Sequence, residues 1–123
     1  MTRYDILTAI PTAFGRDGSL DLEASRAIFR YVGRSGNEGA FVLGTTGEFP
    51  AVDVEEFTAL VDAALAELAG RMRVVVHVGR PSAFEAVRLV GIARSRGATE
   101  FAALTPYYLR ASDDAVVEYF RQV

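Results

Sequence analysis

The chain of 123 residues has no cysteine and no tryptophan, and a single histidine, His77. Without cysteine there is no disulfide and no thiolate-held zinc. One histidine cannot by itself assemble an imidazole metal site, so neither a metal nor a cofactor is expected. Lysine is missing too: all 13 basic residues are arginine. Any reaction that runs through a side-chain amine therefore lacks its nucleophile within this chain. No apolar run approaches the roughly 18 residues of a membrane span. The opening MTRYDILTAI has no long apolar core of the signal-peptide kind. A net charge of −3 offers no basic surplus for nucleic acid. With half of the residues hydrophobic, the composition is that of a soluble folded protein, and the cytoplasm is the expected location.

What is present is a rhythm. Four short apolar runs, Tyr4 to Ile10, Gly39 to Leu43, Arg73 to Val78 and Glu100 to Leu104, have the character of buried strands. Each is followed by residues at helical spacing. Leu22, Ile28, Phe29 and Val32 mark the first helix. Phe57, Leu60, Val61, Ala64, Leu65 and Leu68 mark a second, over Val54 to Leu68. Val87, Val90 and Ile92 mark a third, over Ala83 to Arg96, and a fourth begins near Asp113. Asp53 with Glu56, and Ser82 with Glu85, have the spacing of capping boxes, and Ser112 can cap the fourth helix. Gly33, Gly70 and Gly97 stand where the first three helices should stop.

Strand–helix–strand connections imply a parallel sheet. Two folds fit: a doubly wound sheet, and part of a (β/α)8 barrel of about 250 residues. The final pattern, DDAVVEYFRQV, is an amphipathic helix without a stop signal. It favours the N-terminal half of a TIM (β/α)8 barrel, about four βα units, with residues 1–123 ending inside the fourth helix.

Ligands of parallel α/β folds meet the loops at the carboxyl ends of the strands. Here those loops read IPTAFG, GTTGEFP, HVGRPS and TPYYLR. In GTTGE, Gly44 and Gly47 are expected to supply unusual backbone angles, and Thr45 and Thr46 two hydroxyls. Loop N–H groups could converge on a carboxylate or phosphate; equally, the segment could be a plain strand-to-helix turn. Tyr107 and Tyr108 can donate hydrogen bonds and pass protons, or simply cover a core or an interface. His77 reads more simply as a satisfied core residue than as a base. Arg71 and Arg73 at a strand entrance, and Arg94 and Arg96 at a helix end, occupy positions favourable for the helix dipole and for solubility.

Taken in order, these loops resemble the dihydrodipicolinate synthase / N-acetylneuraminate lyase family of Schiff-base aldolases. The resemblance rests on Gly44-Thr45-Thr46-Gly47-Glu48 with Leu104-Thr105-Pro106-Tyr107-Tyr108 about 60 residues later. The opening Ala9-Ile10-Pro11-Thr12-Ala13-Phe14 and Asp17-Gly18-Ser19-Leu20-Asp21 support it, with Ala13 in place of the usual proline. It implies a (β/α)8 barrel, a tetramer built from tight dimers, that binds pyruvate or a related 2-keto acid as a Schiff base on a sixth-strand lysine and joins it to an aldehyde. Thr46, with Gly47 in the same loop and Thr45 beside it, would hold the keto acid's carboxylate. Thr45 would join a proton relay with Tyr108, supplied across the dimer interface, and with a fifth-strand tyrosine. Tyr107 would stack at that interface.

This chain contains neither that tyrosine nor that lysine, so by itself it is expected to be inactive. Phe49, Pro50, Val54, Phe57 and Pro81 stand where the lysine-producing synthases carry polar or small residues of a feedback site. His77 stands at a common glycine position. Feedback by lysine is therefore not expected, and a catabolic 2-keto acid aldolase or dehydratase competes with the biosynthetic reading. A non-catalytic half-barrel module that pairs with another copy, or with a separate second half, is the alternative of a different class. A receiver-like phosphate-binding domain lacks the acidic cluster it would need.

Overall fold

A computed structural model of the chain describes residues 4–123; the first three residues lie outside it. Four strands, β1 (Leu7–Ala9), β2 (Gly39–Val42), β3 (Arg73–His77) and β4 (Glu100–Ala102), alternate with helices α1 (Leu22–Val32), α2 (Val54–Leu68), α3 (Ala83–Ser95) and α4 (Asp113–Gln122). The strands are shorter than their apolar runs. β2 stops before Leu43 because Leu43 turns to φ +61°, out of strand geometry. A short 3-10 turn at Phe49–Ala51, which the apolar pattern does not signal, leads into α2.

All pairings are parallel, and the sheet order is β1-β2-β3-β4. That order separates the two candidate folds. A doubly wound sheet must reverse its strand order to place helices on both faces. Right-handed crossovers that only step to the next strand put every helix on one side. The packing agrees: Ala40, Val42, Val74, Val76 and Val78 share one core with Phe29, Val32, Phe57, Leu60, Val61, Leu68, Leu89 and Ala93. The alternate row, Ala9–Phe41–Val75–Glu100 in register, faces away from the helices.

Capping follows the sequence with one exception. Asp53 and Glu56 form the reciprocal box, and the Ser112 hydroxyl accepts from the Ala115 N–H. Ser82 makes no side-chain cap, and the Glu85 carboxylate lies 3.8 Å from the Arg88 guanidinium. Asp21 caps α1 by accepting from the Ala24 N–H. Gly70 and Gly97 take left-handed angles just after α2 and α3, whereas Gly33 ends α1 in ordinary helical geometry. The buried stripe of α3 is Ala86, Leu89 and Ala93; Val87, expected inside, is 44% exposed. Small alanines let α3 approach its neighbours closely, and an apolar count underrates them. Arg73 is likewise more than a solubility residue. Its guanidinium bridges Asp5 and Glu100, each at 2.6 Å, at the amino end of the sheet. That partner holds the Glu100 carboxyl below its ordinary value.

Candidate active site

The GTTGE segment leaves the carboxyl end of β2, and its geometry differs from the expected one. Neither Gly44 nor Gly47 has a positive φ; the left-handed residues are Leu43 (φ +61°) and Glu48 (φ +53°), on either side. The glycines are needed for space. A Cβ on Gly44 would lie 2.4 Å from the Phe41 ring, and one on Gly47 would lie 3.1–3.2 Å from the Ile10 carbonyl and the Leu43 backbone. Gly47 is thus wedged between two strand ends.

Four bonds fix the loop, one of them from the Phe49 N–H to the Gly44 carbonyl at 3.3 Å. The Glu48 N–H donates to the Thr45 carbonyl at 3.0 Å, closing a turn. The Thr12 hydroxyl donates to the Gly47 carbonyl at 2.7 Å, joining the first loop to this one across 35 residues. On the third strand, His77 Nδ1 lies 3.0 Å from the Leu43 carbonyl. What the loop keeps free is informative. The N–H groups of Thr45, Thr46 and Gly47 donate to no acceptor among the described residues, and neither do the hydroxyls of Thr45 and Thr46. Both threonines are exposed, while Gly47 is buried. Three successive amide donors and two hydroxyls at one strand end suit an anion such as a carboxylate.

Thr45 lines a cavity of about 340 Å³ with Phe41, Gly44, His77 and the Ala102–Leu104 segment. Tyr108 is not part of it. It stands 94% exposed at φ +78°, and with Tyr107 it lines a separate, apolar hollow of about 430 Å³ beside Pro106, Leu109 and Tyr119. Within one chain, therefore, the structure does not bring Thr45 and Tyr108 to one cavity. Tyr107 is half-buried, its ring edge-on to Phe49 at 5.5 Å.

His77 departs from the satisfied core residue expected from the sequence. It is buried, and among the described residues only Nδ1 has a partner; Nε2 has none. Its ring packs edge-on against Phe49 at 4.5 Å. Burial pushes its pKa below the ordinary value, against the opposing effect of the Leu43 carbonyl, and the Arg80 guanidinium lowers it further. Arg80 itself lies 5.5 Å over the Phe49 ring. Reasoning from the sequence missed the parts played by Thr12 and Phe49. The signal for Thr12 was weak, a hydroxyl in the first of four strand-end loops.

A singly wound parallel sheet with its helices on one face and a donor-rich loop at its carboxyl edge defines part of an α/β barrel. The particular family follows from comparison with known proteins. Residues 3–123 match the dihydrodipicolinate synthetase family, and the chain belongs to it. It is 36% identical over 117 residues to the 4-hydroxy-tetrahydrodipicolinate synthase of Azoarcus sp. (strain BH72), covering 95% of this chain and 40% of that protein. It is 35% identical over 118 residues to the probable 2-dehydro-3-deoxy-D-pentonate aldolase YjhH of Escherichia coli K12, covering 96% of this chain and 39% of that one. Among solved structures, it superimposes with a TM-score of 0.88 and 30% identity on YagE, a prophage protein of the family from E. coli K12 in complex with pyruvate. That match covers 96% of this chain and 40% of the other. The chain thus spans about 40% of the length of the curated relatives it matches, and its four βα units are the N-terminal half of the family's TIM barrel.

Proposed function

We propose that this chain carries the carboxylate cradle of a Schiff-base lyase that acts on pyruvate or a related 2-keto acid and an aldehyde. One observation carries the reading: Thr45, Thr46 and Gly47 present three amide N–H groups and two hydroxyls, none used among the described residues, at the carboxyl end of β2. A carboxylate gains most from donors already in place, because none has to be reorganised on binding. Thr46 and Gly47 hold the carboxylate. The Thr45 hydroxyl, able to donate and accept, passes a proton during carbinolamine formation and dehydration. Tyr108 completes that relay from a second copy, and Tyr107 stacks at the same interface. The exposure of Tyr108 and its left-handed backbone fit a ring that is held ready for another subunit.

The Schiff base itself needs a lysine, which this chain does not contain. Alone, then, the chain binds without catalysing. Both a synthase and a pentonate aldolase stand among its relatives at 35–36% identity. The apolar Phe49, Pro50, Val54 and Phe57 that follow GTTGE in the sequence count against a lysine-regulated synthase, and a catabolic aldolase or dehydratase is the competing reading.

Titration of the ¹⁵N-labelled chain with pyruvate tests the cradle. Shifts confined to the Thr45, Thr46 and Gly47 amides, with a Kd on the order of 1 mM or weaker for so few contacts, are expected. Shifts absent from those amides and present elsewhere refute it. Borohydride with pyruvate should leave every side chain of the chain unmodified; a covalent adduct on a side chain would overturn the account of its inactivity.

A further inference from the structure

We infer that His77 is a positioning residue which clamps the GTTGEF loop at both ends, acting as the neutral imidazole protonated on Nδ1. The Leu43 carbonyl can only accept, so the 3.0 Å contact requires the proton on Nδ1. Leu43 is a non-glycine residue at φ +61°, a conformation that costs energy and persists only where its surroundings impose it. The hydrogen bond from His77 is what its carbonyl meets there. At the other end of the loop, the Phe49 ring rests edge-on on the same imidazole at 4.5 Å. One side chain on the neighbouring strand therefore holds both the residue before Gly44 and the residue after Glu48, with Thr45 and Thr46 between them.

The bare ring nitrogen supports a role beyond packing. Among the described residues Nε2 is buried without any partner, which an apolar side chain of similar volume would avoid. Retaining a half-satisfied imidazole makes physical sense if its Nδ1–H has work to do. Burial keeps the ring neutral, so the one tautomer that can donate to Leu43 while leaving Nε2 bare persists near neutral pH. A Cβ on Gly79 would come within 2.8 Å of Nε2, so Gly79 makes room for the ring. What the clamped loop holds rests on the keto-acid reading above; the clamp itself does not.

The test uses the whole 123-residue chain. In the wild type, the imidazole ¹⁵N shifts should report Nδ1 protonated and Nε2 bare at pH 7; the opposite tautomer overturns the proposal. His77→Leu removes the donor, and His77→Asn keeps an amide donor near the position of Nδ1. Hydrogen exchange of the Glu48 and Phe49 amides, whose bonds close the loop, is compared with that of Val76 and Leu60 in the core. For one neutral hydrogen bond, loop protection in His77→Leu should fall about two- to twelvefold beyond any change in the core. His77→Asn should restore most of it. Loop and core losing protection in parallel, or Asn behaving as Leu, would refute the clamp. Should His77→Leu not fold, the tautomer and the Asn variant decide. A pyruvate titration separates the two claims: a wild type without shifts at Thr45–Gly47 sinks the keto-acid reading while the exchange data still judge the clamp.

Discussion

Replacing Thr12 by valine probes the link between the first loop and the cradle. Valine keeps the shape of the side chain and removes only the hydroxyl that donates to the Gly47 carbonyl at 2.7 Å. A typical intramolecular hydrogen bond contributes about 0.5–1.5 kcal/mol, and an acceptor stranded away from water costs about 1–3 kcal/mol. Thr12 is half-buried and Gly47 buried, so water can reach the freed carbonyl only in part. The expected loss is therefore about 1–2 kcal/mol. For a chain of this size that is roughly 3–10 °C in Tm. Denaturant unfolding followed by circular dichroism gives the stability. The control is Thr12→Ser, which keeps the hydroxyl and loses one methyl group; it should retain more than half of the difference. The loss should also be felt locally, since Gly47 is wedged against Ile10 and Leu43 and its peptide would be free to turn. Pyruvate-induced shifts at Thr46 and Gly47 should weaken in step. If Thr12→Ser falls as far as Thr12→Val, or if Thr12→Val costs less than about 0.3 kcal/mol, the bond is incidental.

Other measurements bear on other parts of the reasoning. Because His77 has a folded pKa below its ordinary 6.5, the unfolded chain takes up the proton first on acidification. Its contribution is intact above about pH 7 and is lost as the pH falls through 6.5 toward the folded value, by at most about 1.4 kcal/mol per pH unit. Urea midpoints between pH 7.5 and 5.5 should show this slope, and His77→Asn should flatten it. Gly47→Ala should disturb the cradle more than Gly44→Ala: the first presses on backbone, the second on the half-buried Phe41 ring, which can swing aside. Amide shift maps of the two variants decide between them. On α3, Leu89→Ala should cost about 2–5 kcal/mol and Val87→Ala under about 0.5 kcal/mol in thermal melts, opposite to the order a Val87-centred stripe implies. Asp53→Ala should cost about 1 kcal/mol through its capping box, and Ser82→Ala only a few tenths.

Much of the architecture was legible because its signals are local. The stripe from Phe57 to Leu68 is long and strongly periodic, and it is buried nearly as read: Leu65 is only partly covered, and Ala63 joins the buried set. The Asp53–Glu56 box depends on two residues three apart and forms. The same spacing did not produce a cap at Ser82. In the GTTGE loop the two glycines stood out, but the reason for them did not. Glycine suggested unusual backbone angles, yet Leu43 and Glu48 carry those angles, and Gly44 and Gly47 give way to Phe41, Ile10 and Leu43. Which neighbour crowds a glycine depends on residues far away in the chain. Thr12 and His77 were obscure for the same reason: their partners lie 35 and 34 residues away, on other βα units.

The stepwise strand order has a consequence for how damage spreads. Each βα unit packs mainly on the unit before it and the unit after it: β1 on β2, β2 on β3, β3 on β4, and α1 through α4 in the same succession. Such a chain of neighbours resembles a row of leaning books, and its stability approximates a sum over adjacent pairs. A lesion in the second unit, which holds Phe57 and the GTTGE loop, touches two neighbours at once. The cradle thus sits in an interior unit of the row, braced by the first loop through Thr12 and by the third strand through His77, where opening it requires parting two neighbours together.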